Sequence, residues 1–85
     1  MSSPTIRSAL IRIDAACAVT GESRRGFYKK VQEGLMPHPV KIGRRASALP
    51  ANEIESICKA RIAGKSEAEI RLLVKHLEAC RKHES

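Results

Sequence analysis

A run of fifteen residues in the first half of the chain, TGESRRGFYKKVQEG, combines side chains that recognise nucleic acids. It holds four of the chain's sixteen Lys and Arg residues, its only Phe and its only Tyr. Arginine donates two parallel hydrogen bonds to guanine, glutamine pairs with adenine, and lysine and tyrosine reach phosphates. The run covers residues 20–34, and its composition favours a helix that presents charge to a polyanion.

Helical geometry separates the side chains of this run onto two faces. At about 100° per residue, Phe27 and Val31 form a narrow apolar stripe, which we expect to dock on a preceding helix through Ala16 and Val19. The residues expected on the outward face, or at its N-terminal border, are Arg24, Arg25, Tyr28, Lys29 and Gln32. This outward set suits the major groove of DNA, and the alternative is a solvated helix without a partner.

Capping residues predict where the helices begin and end. Asp14 is the expected N-cap of a first helix, and Gly21 suits its left-handed end. Ser23 is the expected N-cap of the second helix, which ends at Gly34. Two short helices joined by a tight turn predict a helix-turn-helix, and the positive end of the second helix favours a phosphate close to Ser23.

The segment before the first helix divides into two parts. Residues 1–9 begin with turn formers and predict a flexible arm. Ile11 and Ile13 then flank Arg12 in strict alternation, which predicts a short extended segment that buries both isoleucines.

A second basic cluster follows the second predicted helix after a short connection. Pro37 and Pro39 exclude a regular helix there, and extended residues on both sides of a Gly-Arg-Arg sequence predict a small β-hairpin. The basic residues of this hairpin are Lys41, Arg44 and Arg45. We expect its tip to contact the phosphate backbone or a minor groove, and the alternative is a solvated turn.

Two further helices are predicted after the hairpin. Pro50 begins the third helix, which ends at Gly64 and carries apolar residues at helical spacing. These residues are Ile54, Ile57, Cys58 and Ile62. Ser66 and Glu69 form a capping box that opens a fourth helix, which extends to about Arg81. Its apolar seam contains Ile70, Leu73, Leu77 and Cys80. The seam packs either on its own domain or on a second copy of the chain.

Length and charge restrict the class of protein. Eighty-five residues support a single domain, and the net charge of +7 indicates a polyanionic partner. The charge is uneven, because residues 1–45 contain nine basic and three acidic residues, whereas residues 46–85 contain seven and six. No stretch approaches the length of a membrane span, so we expect a soluble cytoplasmic protein without membrane contact, associated with the nucleoid.

Other kinds of chemistry are poorly matched. Cys17, Cys58 and Cys80 lie outside any CxxC spacing, which predicts three reduced and mostly buried thiols. His76 and Cys80 alone do not complete a zinc site, and no nucleophile has a base and a carboxylate in a recognisable order. We therefore expect no enzyme, no cofactor and no metal. Too few aromatic residues are present for stacking on single-stranded RNA.

The fold class predicted is mainly α, a small winged helix-turn-helix with a short β-hairpin wing and one or two C-terminal helices. Its expected divisions are the arm at residues 1–9, the DNA-binding domain at residues 10–64 and a C-terminal helix at residues 65–85. A second helix-turn-helix formed by the last two helices is an alternative, but Glu67, Glu69 and Glu78 would repel phosphates there.

The order of residues from Ile11 to about Ile57 resembles the AlpA family of small prophage regulators, which is related to MerR-like domains and to phage excisionases. The segment reads IRIDAACAVTGESRRGFYKKVQEGLMPHPVKIGRRASALPANEIE. The composite of Thr-Gly-x-Ser, Tyr, Gly and Pro-x-Pro-Val-Lys, in this order and spacing, carries the resemblance. The chain departs from the family pattern at Met36 and Leu49, where aromatic residues are usual, and at Glu22.

The resemblance implies a recognition helix at residues 23–33 and a wing around residues 41–48. It also implies transcriptional control of mobile-element genes, or a role in the directionality of excision with a recombinase as a further partner. Our functional prediction is sequence-specific binding of double-stranded DNA. An alternative is a protein-interaction adaptor or homo-oligomer that uses Ile70, Leu73 and Leu77.

Overall fold

The computed structural model describes residues 9–83, with side chains to Arg81, and contains four helices and three short strands in this range. In chain order these are β1 (Leu10–Arg12), α1 (Ile13–Thr20), α2 (Arg24–Gln32), β2 (Val40–Lys41), β3 (Ser47–Pro50), α3 (Ala51–Ile62) and α4 (Glu67–His83). The fold is the mainly helical winged helix-turn-helix that the sequence predicts. The predicted arm lies outside the described residues apart from Ala9.

A three-stranded antiparallel sheet has β3 at its centre. On one side β2 pairs with β3 to form the predicted hairpin, with Val40 opposite Ala48. On the other side β1 pairs with β3, and Ile11 lies opposite Leu49. The sequence predicts an extended segment at Ile11, Arg12 and Ile13, whereas the strand covers Leu10–Arg12 and Ile13 already belongs to α1. Ile13 is buried as expected, and Ile11 is only partly buried. The sequence does not identify the partner of this strand, so the third strand is the main addition to the expected fold.

The turn between α1 and α2 follows the sequence signals. Gly21 has a φ of 75°, which only glycine adopts without strain, and ends α1. The Ser23 hydroxyl accepts a hydrogen bond of 3.0 Å from the backbone N–H of Gly26 and so caps α2. Gly34, with a φ of 79°, follows the end of α2. These caps fix the relative position of the two helices.

The predicted N-cap at Asp14 is wrong. Helix α1 begins two residues earlier than this cap implies, at Ile13, and its N-cap is Arg12, whose side chain makes no capping hydrogen bond. The reason is that β1 runs directly into α1, so that Ile13 is buried in the first turn. The Asp14 carboxylate is therefore free of the capping role and lies in the first turn of the helix.

The core fills the space between the sheet and the four helices. Phe27 and Val31 are buried as expected, and Met36 and Leu49 are fully buried. The remaining buried hydrophobic residues are Ile13, Ala16, Cys17, Leu35, Ala48, Ile54, Ile57, Ala60, Ile70 and Val74. The two departures from the aromatic pattern are thus core-filling aliphatic side chains.

Two expected core residues lie on the surface instead. Val19 is 62% exposed, because the buried face of α1 is the one that contains Ala16 and Cys17. Ile62 is 86% exposed, because the last turn of α3 carries it away from the face that contains Ile57. Both residues lie in the last turns of their helices, where helical spacing no longer predicts contact with the core.

The cysteines are free thiols, as the sequence predicts, but their burial is less complete. Cys17 is buried, whereas Cys58 and Cys80 are only half-buried. Burial raises the pKa of the Cys17 thiol, and the neighbouring Asp14 carboxylate acts in the same direction. Cys17 is therefore a poor nucleophile at neutral pH.

Helix α4 packs on its own domain. The predicted capping box is present, with the Ser66 N–H donating to Glu69 at 2.9 Å and the Glu69 N–H donating to the Ser66 hydroxyl at 3.2 Å. Ile70 is buried in the core, and Leu73 and Leu77 pack against it. An association through this seam would have to use the parts of Leu73 and Leu77 that remain exposed, because Ile70 is buried in the core.

Polar contacts attach α4 to the loop that follows α2. The Arg81 guanidinium donates to both oxygens of Glu53, at 2.6 and 2.9 Å, and to the carbonyl of His38 at 2.8 Å. Glu53 is only 3% exposed, and its hydrogen bond is the main reason why the pKa of Arg81 is raised. Arg71 donates to the carbonyl of Glu33 at 2.8 Å. Helix α4 thus holds both ends of the segment between α2 and the hairpin.

Removal of the Arg81 side chain tests this attachment. We expect Arg81→Met to lower the free energy of unfolding by about 3 kcal/mol, because Glu53 would remain buried without its partner. Urea unfolding measures the change. Lys75→Met on the exposed side of α4 is the matched control, with little expected effect. Equal losses in the two variants would contradict a stabilising role for the Glu53–Arg81 pair.

A second test uses Glu78. Its partial burial favours the neutral form, yet hydrogen bonds from the backbone N–H and ring of His38, at 2.7 and 2.8 Å, lower the pKa of Glu78 below 4.5. Because the pKa is lower in the folded state, this contribution is present above pH 4.5 and is lost as the pH falls through the folded pKa. We expect Glu78→Gln to flatten the acid side of the stability profile, measured by urea unfolding at a series of pH values. Glu67→Gln, at an exposed site, should leave the profile steep.

Candidate nucleic-acid interface

The outward face of α2 carries the predicted side chains in one continuous surface. Arg24, Arg25, Tyr28, Lys29 and Gln32 are all exposed and line one shallow groove. The Tyr28 ring packs edge-to-face on Phe27, with centroids 6.0 Å apart and an interplanar angle of 80°. Since Phe27 is fully buried, this contact fixes the base of Tyr28 while its hydroxyl end remains available.

A cleft of about 270 Å³ joins this helix to the hairpin. Arg24 and Tyr28 line it from α2, and Lys41, Arg44 and Arg45 line it from the hairpin. The structure therefore brings together two basic clusters that are separated in sequence. Lys29, Arg25 and Gln32 lie outside the cleft, on the adjoining groove of α2.

Arg12 also lines the cleft, and sequence reasoning did not select it. The available signal was its alternation with two apolar isoleucines, which places its side chain on the opposite face of the strand. Its position beside the hairpin follows only from the pairing of β1 with β3, in which Arg12 lies opposite Ala48. This long-range pairing has no local signal in the sequence.

Charge compensation is low across this surface. Six basic residues of this surface form no salt bridge within residues 9–81. They are Arg12, Arg25, Lys29, Lys41, Arg44 and Arg45. In the C-terminal half, Lys59, Arg61, Arg71 and Arg81 have acidic partners, and the described cations without a salt bridge are Lys65 and Lys75. The uncompensated positive charge is therefore concentrated where α2 and the hairpin meet.

Arg24 differs from the other basic residues of this surface because it forms a salt bridge. Its Nη1 atom lies 2.6 Å from Oδ1 of Asp14, and both side chains are well exposed, at 62% and 86%. Among the described residues that line the cleft, Asp14 alone is acidic. Asp14, the expected N-cap of α1, thus contributes a carboxylate to the predicted binding site instead.

The start of α2 is tightly built. The Ser23 hydroxyl accepts the N–H of Gly26, but its own proton can still be donated to an oxygen. A Cβ on Gly26 would lie 3.1 Å from the Ser23 hydroxyl oxygen and 3.2 Å from a carboxylate oxygen of Glu22. Glu22 in turn pairs with Lys30 and Arg61. Glycine at position 26 therefore leaves room for the cap and for this ionic cluster.

The described residues also bear on metal binding and on membrane insertion. Within the described side chains, no group of three or more potential ligands is placed to hold a metal ion. His76 and Cys80 are neighbours on α4, with 3.7 Å between the Nε2 and Sγ atoms. None of the helices in the described range is long and apolar enough to span a membrane.

Comparison with known proteins identifies a family. The family model for the prophage CP4-57 regulatory protein (AlpA) matches residues 9–62. The match covers the sheet, the first three helices and every predicted DNA-contacting residue, and it ends before α4. No curated protein and no solved structure gives a significant match. Because the matched segment is more than half of the chain, the protein belongs to the AlpA family of prophage regulatory proteins.

Proposed function

We propose that the protein binds double-stranded DNA sequence-specifically, with α2 in the major groove and the hairpin on the adjacent backbone or minor groove. The observation that carries this proposal is the cleft that joins Arg24 of α2 to the basic residues of the hairpin, next to the groove of α2 that carries Arg25 and Lys29. A helix fits the major groove, and an adjoining positive arm that follows the backbone increases affinity without reading sequence.

The two parts of the surface have different roles in this proposal. Arg25, Lys29 and Gln32 project from the middle of the exposed face of α2, where they reach base edges or flanking phosphates. Lys41, Arg44 and Arg45 contact the phosphate backbone or a minor groove. The hydroxyl groups of Ser23 and Tyr28 donate hydrogen bonds to phosphates. The Arg12 guanidinium, at the edge of the sheet, also contacts phosphates. Arg24 lies between the two parts and is considered separately below.

The biological role that we propose is control of transcription, or of excision, in a mobile element. It follows from the family and from the predicted DNA binding, and a recombinase is a further candidate partner. The alternative role, a protein-interaction adaptor or homo-oligomer, was motivated by the seam of α4. Since Ile70, Leu73 and Leu77 pack on the domain itself, the exposed basic surface favours the DNA-binding role.

The dependence of binding on salt tests the electrostatic part of the proposal. If about five phosphates are neutralised, log affinity plotted against log salt should have a slope of about −4 to −5. Duplexes selected from a random DNA pool provide the specific site, and fluorescence anisotropy measures affinity. A slope near zero would show that the basic surface does not contact the phosphate backbone.

Two substitutions separate base reading from backbone contact. We expect Arg25→Ala to reduce discrimination between the selected duplex and a scrambled one, because base contacts specify sequence. Arg44→Ala should weaken binding to both duplexes by similar factors. Lys75→Ala, which removes an exposed charge from α4, is the control and should change neither value. Equal losses on both duplexes for Arg25→Ala would mean that α2 does not read the sequence.

A further inference from the structure

We propose that Asp14 is a specificity-determining residue of this interface and that it acts by positioning Arg24. The inference rests on the proposed DNA-binding function and deepens it. A carboxylate in a cleft that attracts polyanions reduces affinity, so its presence requires a compensating effect. The geometry of the Asp14–Arg24 pair points to selectivity as that effect.

The pair is placed at the start of the recognition helix. Arg24 is the first residue of α2, and Asp14 lies in the first turn of α1, so the 2.6 Å contact bridges the two helices of the helix-turn-helix. In this motif the N-terminal residues of the recognition helix contact base edges. Arg24 therefore occupies a position from which an arginine can read a base.

The ion pair uses only part of the hydrogen-bonding capacity of Arg24. The contact involves Nη1, whereas a guanidinium has five N–H donors in a planar fork. The remaining donors can still form two parallel hydrogen bonds with guanine. Because the ion pair favours one conformation of the long side chain, less rotamer freedom is lost when Arg24 meets a base.

The same carboxylate makes a phosphate a poor partner for Arg24. A phosphate oxygen that approached the Nη1 atom would meet the negative charge of Asp14, whose side chain is 86% exposed and therefore open to the incoming backbone, although water and salt weaken the repulsion. A guanine edge carries no net charge, so its O6 and N7 acceptors are repelled much less. Asp14 therefore lowers binding to arbitrary DNA, where phosphates dominate, more than binding to a site with the correct base.

A purely structural role for the pair is poorly supported. Asp14 does not cap α1, its place in the first turn of that helix gives only a modest helix-dipole stabilisation, and both partners of the pair are exposed, so Asp14 contributes little to stability. Substitution of either residue should leave the fold intact, and circular dichroism melting verifies this. The effect of Asp14 is therefore expected in binding rather than in folding.

Binding of Asp14→Asn to the selected and scrambled duplexes tests the inference. We expect affinity for the scrambled duplex to rise several-fold and its salt slope to steepen by about 0.9, since Arg24 becomes free to contact one more phosphate. The ratio of the two affinities should fall about tenfold, the value of one good base contact. Glu55→Gln is the matched control, because it removes the same charge from an exposed ion pair on α3 and should leave the ratio unchanged.

A double variant shows whether Asp14 acts through Arg24. In an Arg24→Gln background, Asp14→Asn should no longer alter the ratio of affinities. A rise in affinity by the same factor on both duplexes, or a full effect in the Arg24→Gln background, would overturn the inference while the DNA-binding function stands. If the original protein showed no preference between the duplexes, both the proposed function and this inference would fall.

Discussion

The pairing of β3 with strands on both of its sides is the interaction on which the binding surface depends. One side of β3 forms the basic hairpin, and the other side holds β1, which continues without a break into α1. This arrangement places Arg12 and Asp14 beside residues that follow them by about thirty positions in the chain. The β1–β3 pairing, together with the burial of Leu49 of β3 in the same core as Phe27 of α2, joins the hairpin and the helix-turn-helix into one surface.

Helix α4 stabilises this arrangement although it lies beyond the segment matched by the family. Its apolar side packs on the core, and its arginines bond the carbonyls of Glu33 and His38 at the two ends of the loop after α2. A domain of this size has a small core, so additional contacts of one long helix are a substantial part of its stability. The end of α2 and the start of the hairpin are consequently held by one common element.

Local signals in the sequence predicted most of the elements, and non-local contacts account for what was missed. The cap at Ser23, the left-handed Gly21 and the capping box at Ser66 each depend on a few consecutive residues, so they could be read directly. The two faces of α2 also followed from helical spacing. The pairing of β1 with β3 and the contact between Arg24 and Asp14 each join residues that are apart in the chain. Local spacing rules therefore do not predict them. The exposure of Val19 and Ile62 was not predicted because the chain changes direction at the ends of helices.

The separation of the two faces of α2 has a consequence for how such a regulator can change over time. Phe27 and Val31 hold the helix in the core, and Ser23 and Gly26 form its entrance, while Arg25, Lys29 and Gln32 take no part in the packing. Exposed positions of this kind tolerate substitution at little cost in stability. If α2 reads DNA as proposed, a new operator can therefore be acquired through changes at a few surface positions of one helix, with the scaffold left as it is.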